Sequence, residues 1–312
     1  MVVSVVVPAF NEEAHMEACL SALEAQTLSP SLFEVIVIDN GSTDATAAIA
    51  NGFLSKIPLR VVSTPRRSIS AARNSGAALA QGKELAFLDA DCRPKPAWLQ
   101  DFVDLPPENG IRGCNYKVPS DSTWVGRFWA DFQARLVMGP VSFVPGGCLF
   151  LSKSNFDAIG GFDEKVETSE DIDLCERATK YGLTITSHPI LAVIHDGTPR
   201  TITHFYRQHR WHGKHVLRNF IEKLPSLENI AVVGLSAYTL LMFWVTVLLI
   251  PALFFHHPWW TVTAFGLLLL PPALLSIRAS RGSLRSMGPL LALYGAYSLA
   301  RAASLVHVLR RE

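Results

Sequence analysis

Four short apolar runs, each ending in polar or acidic residues, constrain this chain more than any other feature. Val2 to Val7 is β-branched nearly throughout, as a strand buried on both faces must be. Glu34 to Ile38, Leu59 to Ser63 and Leu85 to Leu88 repeat the pattern. The stretches between them predict helices. Asn11 is the expected cap of the first, with Glu12 and Glu13 in its opening turn and an end near Gln26. A short Ala-rich helix follows Asp44. A third starts at Ser68 or Ser70 and runs through Arg73 to Gln81, with Gly82 as its C-terminal cap. Strand and helix alternating with short connections predict an α/β fold: an open, mostly parallel, doubly wound sheet with helices on both faces.

In such sheets ligands bind beyond the carboxyl ends of the strands. Pro8, Ala9, Phe10, Asn11 and Glu12 fall at that edge after the first strand, Asp39, Asn40 and Asp44 after the second, and Asp89, Ala90 and Asp91 after the fourth. Residues i and i+2 of an extended chain point the same way, with Cα atoms roughly 6.5 Å apart, so Asp89 and Asp91 converge. Two buried carboxylates this close need a cation or a hydrogen-bonded ligand between them, unless they form an exposed acidic turn. The edge therefore reads as a nucleotide pocket. No GxGxxG follows the first strand and no GxxxxGK[ST] occurs anywhere, which argues against a dinucleotide dehydrogenase or a P-loop enzyme.

Later signals are less regular. A strand is expected around Gly113 to Val118, an amphipathic stretch over Trp124 to Met138, and a strand to Leu151 introduced by Gly146-Gly147. Asn155 to Gly160 reads as a helical turn, and Glu170 to Tyr181 as a helix closed by Gly182. Short strands over Leu183 to Ser187 and Ile190 to Ile194 end at His195-Asp196-Gly197. The net charge of +1 gives no reason to expect a nucleic-acid partner. Cys19, Cys92, Cys114, Cys148 and Cys175 are odd in number and lack paired spacing, which argues against a disulfide framework or a zinc site and suits a reducing compartment. The opening run lacks basic residues and a small-residue cleavage site, and reads as a strand rather than a signal peptide.

Taken together, five motifs in order over residues 3 to 215 resemble the family 2 glycosyltransferases, inverting enzymes of the GT-A fold that use nucleotide sugars. They are Val5-Val6-Val7-Pro8-Ala9-Phe10-Asn11-Glu12, Ile38-Asp39-Asn40-Gly41-Ser42-Thr43-Asp44, Ala72-Arg73-Asn74, Asp89-Ala90-Asp91, and Gly146-Gly147 with Glu170-Asp171-x-Asp173-Leu174. The resemblance implies that Asp39 and Asn40 contact the donor nucleotide, that Pro8, Ala9, Phe10 and Glu12 frame base and ribose, and that Arg73 lies near the diphosphate or base. It puts Asp89 and Ala90 near ribose and sugar, Asp91 on a divalent metal, and Asp171, beside Glu170, as the base that deprotonates the acceptor. Mg²⁺ or Mn²⁺ suits carboxylate ligands completed by substrate phosphates. UDP is the expected nucleotide, with guanine and thymine as alternatives. His195 is implied either as a metal ligand or as a structural strand-end residue. Near a helix N-terminus, Asp171 would be kept ionised but weakened as a base. Arg207-Gln208-His209-Arg210-Trp211 is similar to the Gln-x-x-Arg-Trp motif of processive members, but Arg207 stands where Gln should. Gly147, Arg210 and Trp211 then support acceptor or diphosphate, or Arg210 and Trp211 serve a membrane surface.

Hydrophobic residues make up 49% of the 312 and charged ones 18%, and the surplus lies after about residue 225. Between 200 and 228, basic residues (Arg207, Arg210, Lys214, Arg218) alternate with aromatics, as in helices that lie in a membrane interface. Ile230 to Phe255 is uncharged and, if helical, about 39 Å long, enough to span a bilayer. A second span is expected from Trp259 to Ile277, followed by Arg278, Arg281 and Arg285, and a third, spanning or embedded, over 288–309. The expected organisation is a catalytic domain over 1–199, an interface segment over 200–228 and a membrane domain over 229–312, held in the cell membrane by several passes with the catalytic domain cytoplasmic. A membrane-held site implies a lipid-linked or glycolipid acceptor. Two other readings compete. One is a phosphotransferase with Asp89 as nucleophile, which Cys92-Arg93 and the position on the fourth strand do not fit. The other is a catalytically silent nucleotide-sugar-binding membrane protein.

Overall fold

The computed structural model describes residues 1–133, 137–166, 168–213, 227–253, 258–280 and 282–309. Lys214 and Arg218 of the expected interface segment, Phe255 at the end of the first expected span, and Arg281 lie outside them. The chain forms two compact units, Met1–Ser120 with Ala134–Thr198, and Asp121–Gln133 with Pro199–Glu312.

The first unit is a mostly parallel sheet. Strands β1 (Val3–Ala9), β2 (Phe33–Asp39), β3 (Leu59–Ser63) and β4 (Glu84–Leu88) run parallel, with β1 between β2 and β4. Beyond β4 the order continues through β8 (Cys148–Ser152), β6 (Gly110–Gly113), β9 (Thr184–Ser187) and β7 (Gly139–Pro140), with β8 and β7 antiparallel to their neighbours. A two-stranded ladder pairs β5 (Cys92–Arg93) with β10 (Ile194–His195).

Alternation along β1 sends its side chains to two different cores. Val3, Val5 and Val7 pack with Met16, Leu20 and Leu23 of α1 (Met16–Glu24), Ala50 of α2 (Thr46–Asn51) and Trp98 of α4 (Trp98–Asp104). Val6 faces the other side, with Ala72 of α3 (Ile69–Leu79), Phe156 of α6 (Lys153–Ala158) and Leu174 of α7 (Glu170–Lys180). The central apolar runs are continuous because both faces are covered. Ser68 caps α3 through a bond from Ala71 N–H at 3.2 Å.

Four local expectations are corrected. Asn11 does not cap α1, which begins five residues later; Asn11 takes a left-handed backbone (φ 55°) and its Oδ1 accepts from Thr43 N–H at 2.9 Å. The chain thus makes a turn there, because Asn tolerates that conformation. Gly82 is no helix cap: a Cβ would lie 2.6 Å from Ser4 N, so close approach to β1 demands glycine. The strand expected at Gly113 to Val118 ends at Gly113, with only Lys117 bridging to Ile194. Ile190 to Ile194 begins as a 3-10 turn over Pro189–Leu191, since Pro189 cannot donate to a ladder.

The second unit is helical: α5 (Trp124–Gln133), α8 (Ile202–His212), α9 (Leu227–Leu248), α10 (Pro258–Ser280) and α11 (Leu284–Leu309). Helix α11 packs against the other four, and Val125, Phe205, Leu293 and Ala296 form a shared core. Membrane expectations narrow here. Helix α9 ends at Leu248, before a 3-10 turn over Ile250–Leu253, so the first expected span stops short of its expected end. Among the described residues only α10 is long and apolar enough to cross a membrane, so the multi-pass expectation is not supported.

Candidate functional site

The carboxyl ends of β1, β2 and β4 collect the polar residues expected there. Each is held by the turn that follows its strand. Asp39 closes β2, 5% exposed, with Oδ1 accepting from Ser42 N–H at 3.1 Å and Oδ2 from the Ser63 hydroxyl at 3.2 Å. Asn40 braces the neighbouring loop: its amide donates to Arg67 O and accepts from Arg67 N–H, both at 2.9 Å. Pro8 and Ala9 are buried backbone of β1. Phe10 is exposed, and the Arg66 guanidinium lies 3.4 Å from its ring centroid. Glu12 pairs with His15 at 2.9 Å, and burial raises its pKa against that pairing.

Arg73 is the centre of the charge arrangement. Its side chain is 2% exposed and donates from Nη2 to Asp89 Oδ1 at 2.7 Å and from Nη1 to Glu170 Oε1 at 2.6 Å. Burial alone would lower its pKa, but Asp89 and Glu170 outweigh burial and hold it raised. One guanidinium thus ties the end of β4 to the start of α7, residues far apart in sequence. Helix α7 starts without a side-chain cap, after Ser169 in a left-handed conformation (φ 63°).

Asp171, in the first turn of α7, accepts from Gly146 N–H at 3.1 Å and from Ile172 N–H at 2.8 Å. Burial first, and then the Glu170 charge, push its pKa up to about 6, although Arg73 opposes them. The weakening by the helix dipole that the sequence led us to expect does not prevail. Desolvation of the carboxylate is the larger effect.

Tyr116 is the residue that sequence reasoning missed. Its hydroxyl donates to Asp89 Oδ2 at 3.3 Å and accepts from Gly147 N–H at 3.1 Å, and its ring stacks on His195 at 4.6 Å. Nothing in its neighbourhood in sequence marks it, since its three partners come from the turn after β4, the glycine loop and β10. Gly147 must lack a side chain because a Cβ would run into the Asp89 carboxylate.

Asp91 Oδ2 and His195 Nε2 lie 3.3 Å apart, brought together by the Cys92–His195 pairing of β5 with β10. Burial raises the Asp91 pKa, His195 opposes this, and the Asp89 charge adds to it. Donor atoms of Asp91, Cys92 and His195 all fall within 4.8 Å of one another. Burial pushes the Cys92 thiol up, and because a hard cation prefers oxygen and nitrogen ligands to sulfur, the carboxylate oxygen and the imidazole nitrogen are the donor pair. Such a pair, completed by phosphate oxygens, fits a divalent cation. Gly197 crowds against Asp91 so closely that a Cβ there would strike its carboxylate. Arg210 and Trp211 belong to α8 of the second unit, where both are exposed.

Comparison with known proteins points one way. A family model described as glycosyl transferase family 2 matches residues 4–160, and one described as glycosyl transferase family group 2 matches residues 85–298. Glycosyltransferase AglE of Haloferax volcanii is 29% identical over 198 residues, 61% of this chain and 65% of that protein. A pre-mycofactocin glycosyltransferase of Mycobacterium tuberculosis is 29% identical over 213 residues, 62% of this chain and 42% of that protein. The chain therefore spans less than two thirds of either relative. Among solved structures, mannosyltransferase PcManGT of Pyrobaculum calidifontis, in complex with GDP-Man and Mn²⁺, superposes with a TM-score of 0.63 at 19% identity, over 99% of this chain and 87% of that one. The expected GT-A fold is thus the fold found. With matching family models over more than half its length, and the acidic sheet edge in place, the chain belongs to glycosyltransferase family 2.

Proposed function

We propose that this protein transfers a sugar, with inversion, from a nucleoside diphosphate sugar to a membrane-associated, lipid-linked acceptor. The observation that carries the reading is Asp171, a buried carboxylate with its pKa pushed up to about 6 beside the glycine loop. A carboxylate so desolvated is a better base than an exposed one and is still ionised at neutral pH, as acceptor deprotonation requires. Glu170 keeps Arg73 in place and so supports the same reading.

Donor binding is assigned to the sheet edge: Asp39 and Asn40 toward the base, Pro8, Ala9, Phe10 and Glu12 around base and ribose, and Arg73, Asp89 and Ala90 toward ribose, sugar and diphosphate. Arg73 acts in this scheme through Asp89, which it orients. Asp91 and His195 would hold Mg²⁺ or Mn²⁺, which supplies positive charge for the departing diphosphate when bound. Gly147 keeps the loop close to Asp89. Arg210 and Trp211 are proposed for the acceptor. UDP is the nucleotide proposed first, and the GDP-Man bound by the Pyrobaculum enzyme makes GDP sugars the direct comparison. Membrane attachment rests on α10, and a cytoplasmic catalytic unit suits five buried, unpaired cysteines.

The test is Asp171→Asn. Transfer from UDP- or GDP-sugar should fall by about 10³-fold, while the affinity for the nucleotide changes less than about two-fold. Wild-type turnover in this variant would remove Asp171 as the base. Nucleotide binding without transfer by the wild-type protein, across donors and lipid acceptors, would favour the silent binding protein.

A further inference from the structure

The helical unit carries a charge that the catalytic reading does not use. No aspartate or glutamate occurs between Glu228 and Glu312, whereas Arg278, Arg285 and Arg301 all lie in that stretch. Arg278 and Arg285 are exposed. Arg301 is turned inward from α11: Nε and Nη1 are buried with no hydrogen-bond partner, and its Cδ lies where Gly213 leaves room for it. The guanidinium sits 5.1 Å from the Tyr297 ring centroid.

Other unsatisfied polar groups surround it. Ser298 Oγ and both ring nitrogens of His209 are buried without partners. His209 is 5% exposed and enclosed by Trp129, Phe205 and Tyr297. Burial first, then the Arg301 charge, push its pKa down to about 3, so the ring is neutral and gives no counter-charge. A cavity of about 20 Å³ is lined by Leu235, Ser236, Tyr297, Ser298 and Arg301, room for one water or for one oxygen of a larger anion. An arginine stays protonated at any accessible pH, and a buried charge without a partner is costly. Water would satisfy its hydrogen bonds but leave the charge unpaired.

We propose that this cavity receives the phosphate of a membrane lipid, one phosphate oxygen entering between Arg301 and Ser298 while the rest of the group stays at the half-exposed side of Arg301. A lipid is favoured over free phosphate by the neighbouring helix α10, which packs on α11, is long and apolar enough to cross a bilayer, and exposes Trp259, Trp260 and Phe265. An arginine turned into a helical unit with guanidinium nitrogens unpartnered calls for a definite anionic partner. The site is separate from the sugar-transfer reading and stands or falls without it.

The experiment is thermal unfolding of the full-length protein in neutral detergent, with phosphatidic acid, diacylglycerol or inorganic phosphate added, for wild type, Arg301→Gln, Arg301→Lys and Arg278→Gln. Phosphatidic acid should raise Tm by about 4 °C in wild type and in Arg278→Gln, by less in Arg301→Lys, and by under about 1 °C in Arg301→Gln; diacylglycerol should do nothing. An equal shift in Arg301→Gln, or an equal loss in Arg278→Gln, overturns the site. A shift by inorganic phosphate as large as that by phosphatidic acid overturns a lipid as its occupant. No shift by either, with Arg301→Gln at least as stable as wild type, makes the cavity a water site and overturns the proposal. If Arg301→Gln does not fold, phosphatidic acid retained by wild type and by Ser298→Ala is compared by native mass spectrometry, where equal retention counts against the site.

Discussion

At the residue scale, the site is governed by how few positive charges face how many carboxylates. Arg73 is the buried cation between Asp89 and Glu170. Arg73→Met would leave both carboxylates facing each other with no compensating charge, and should cost about 3–5 kcal/mol of stability, measured by urea unfolding at pH 7. Asp171 makes the opposite kind of prediction. Its pKa is raised to about 6, so the base is lost as pH falls through 6, and kcat/KM should drop about tenfold per unit below that value. The sign is reversed for stability: a carboxyl held neutral in the fold favours the native state at low pH, and that contribution disappears as pH rises through about 6. A pH–rate profile flat between 5 and 7 would count against Asp171 as the titrating group. Tyr116 shows why residue roles cannot all be read locally, because its three contacts come from three separate segments.

At the element scale, the sheet edge works because short loops bring separate strands to one place. The Gly146-Gly147 loop leads into β8, which pairs antiparallel with β4 and sets Gly147 against Asp89. Gly147→Ala should therefore displace the Asp89 carboxylate and lower kcat/KM by about 10²-fold, with the melting temperature falling by only a few degrees. An unchanged rate would mean that Asp89 has no fixed position to lose. The β5–β10 ladder performs the same service for Asp91 and His195, which the resemblance could name for one metal but whose approach to 3.3 Å depends on that long-range pairing. Helix starts were legible where a side chain caps, as Ser68 does for α3. They were not legible at Asn11, where the preference of Asn for a turn outweighed its use as a cap.

At the scale of the whole molecule, a glycosyltransferase sheet and a helical unit share one chain, and among the described residues α10 is the helix that suits a bilayer. We expect the protein to stay with the membrane fraction through alkaline carbonate extraction and to need detergent for release; recovery in the soluble fraction would remove the membrane reading of α10. The sequence by itself determined the α/β architecture, the strand–helix alternation of the first half as a doubly wound pattern, and the acidic edge, because apolar periodicity and strand-end chemistry are local signals. Only the tertiary structure decided which groups meet there. It set Arg73 between Asp89 and Glu170, put Tyr116 on His195, raised the pKa of Asp171 by burial and shortened the first expected span. Each depends on long-range pairing or on desolvation, and neither is written in the spacing of neighbouring residues.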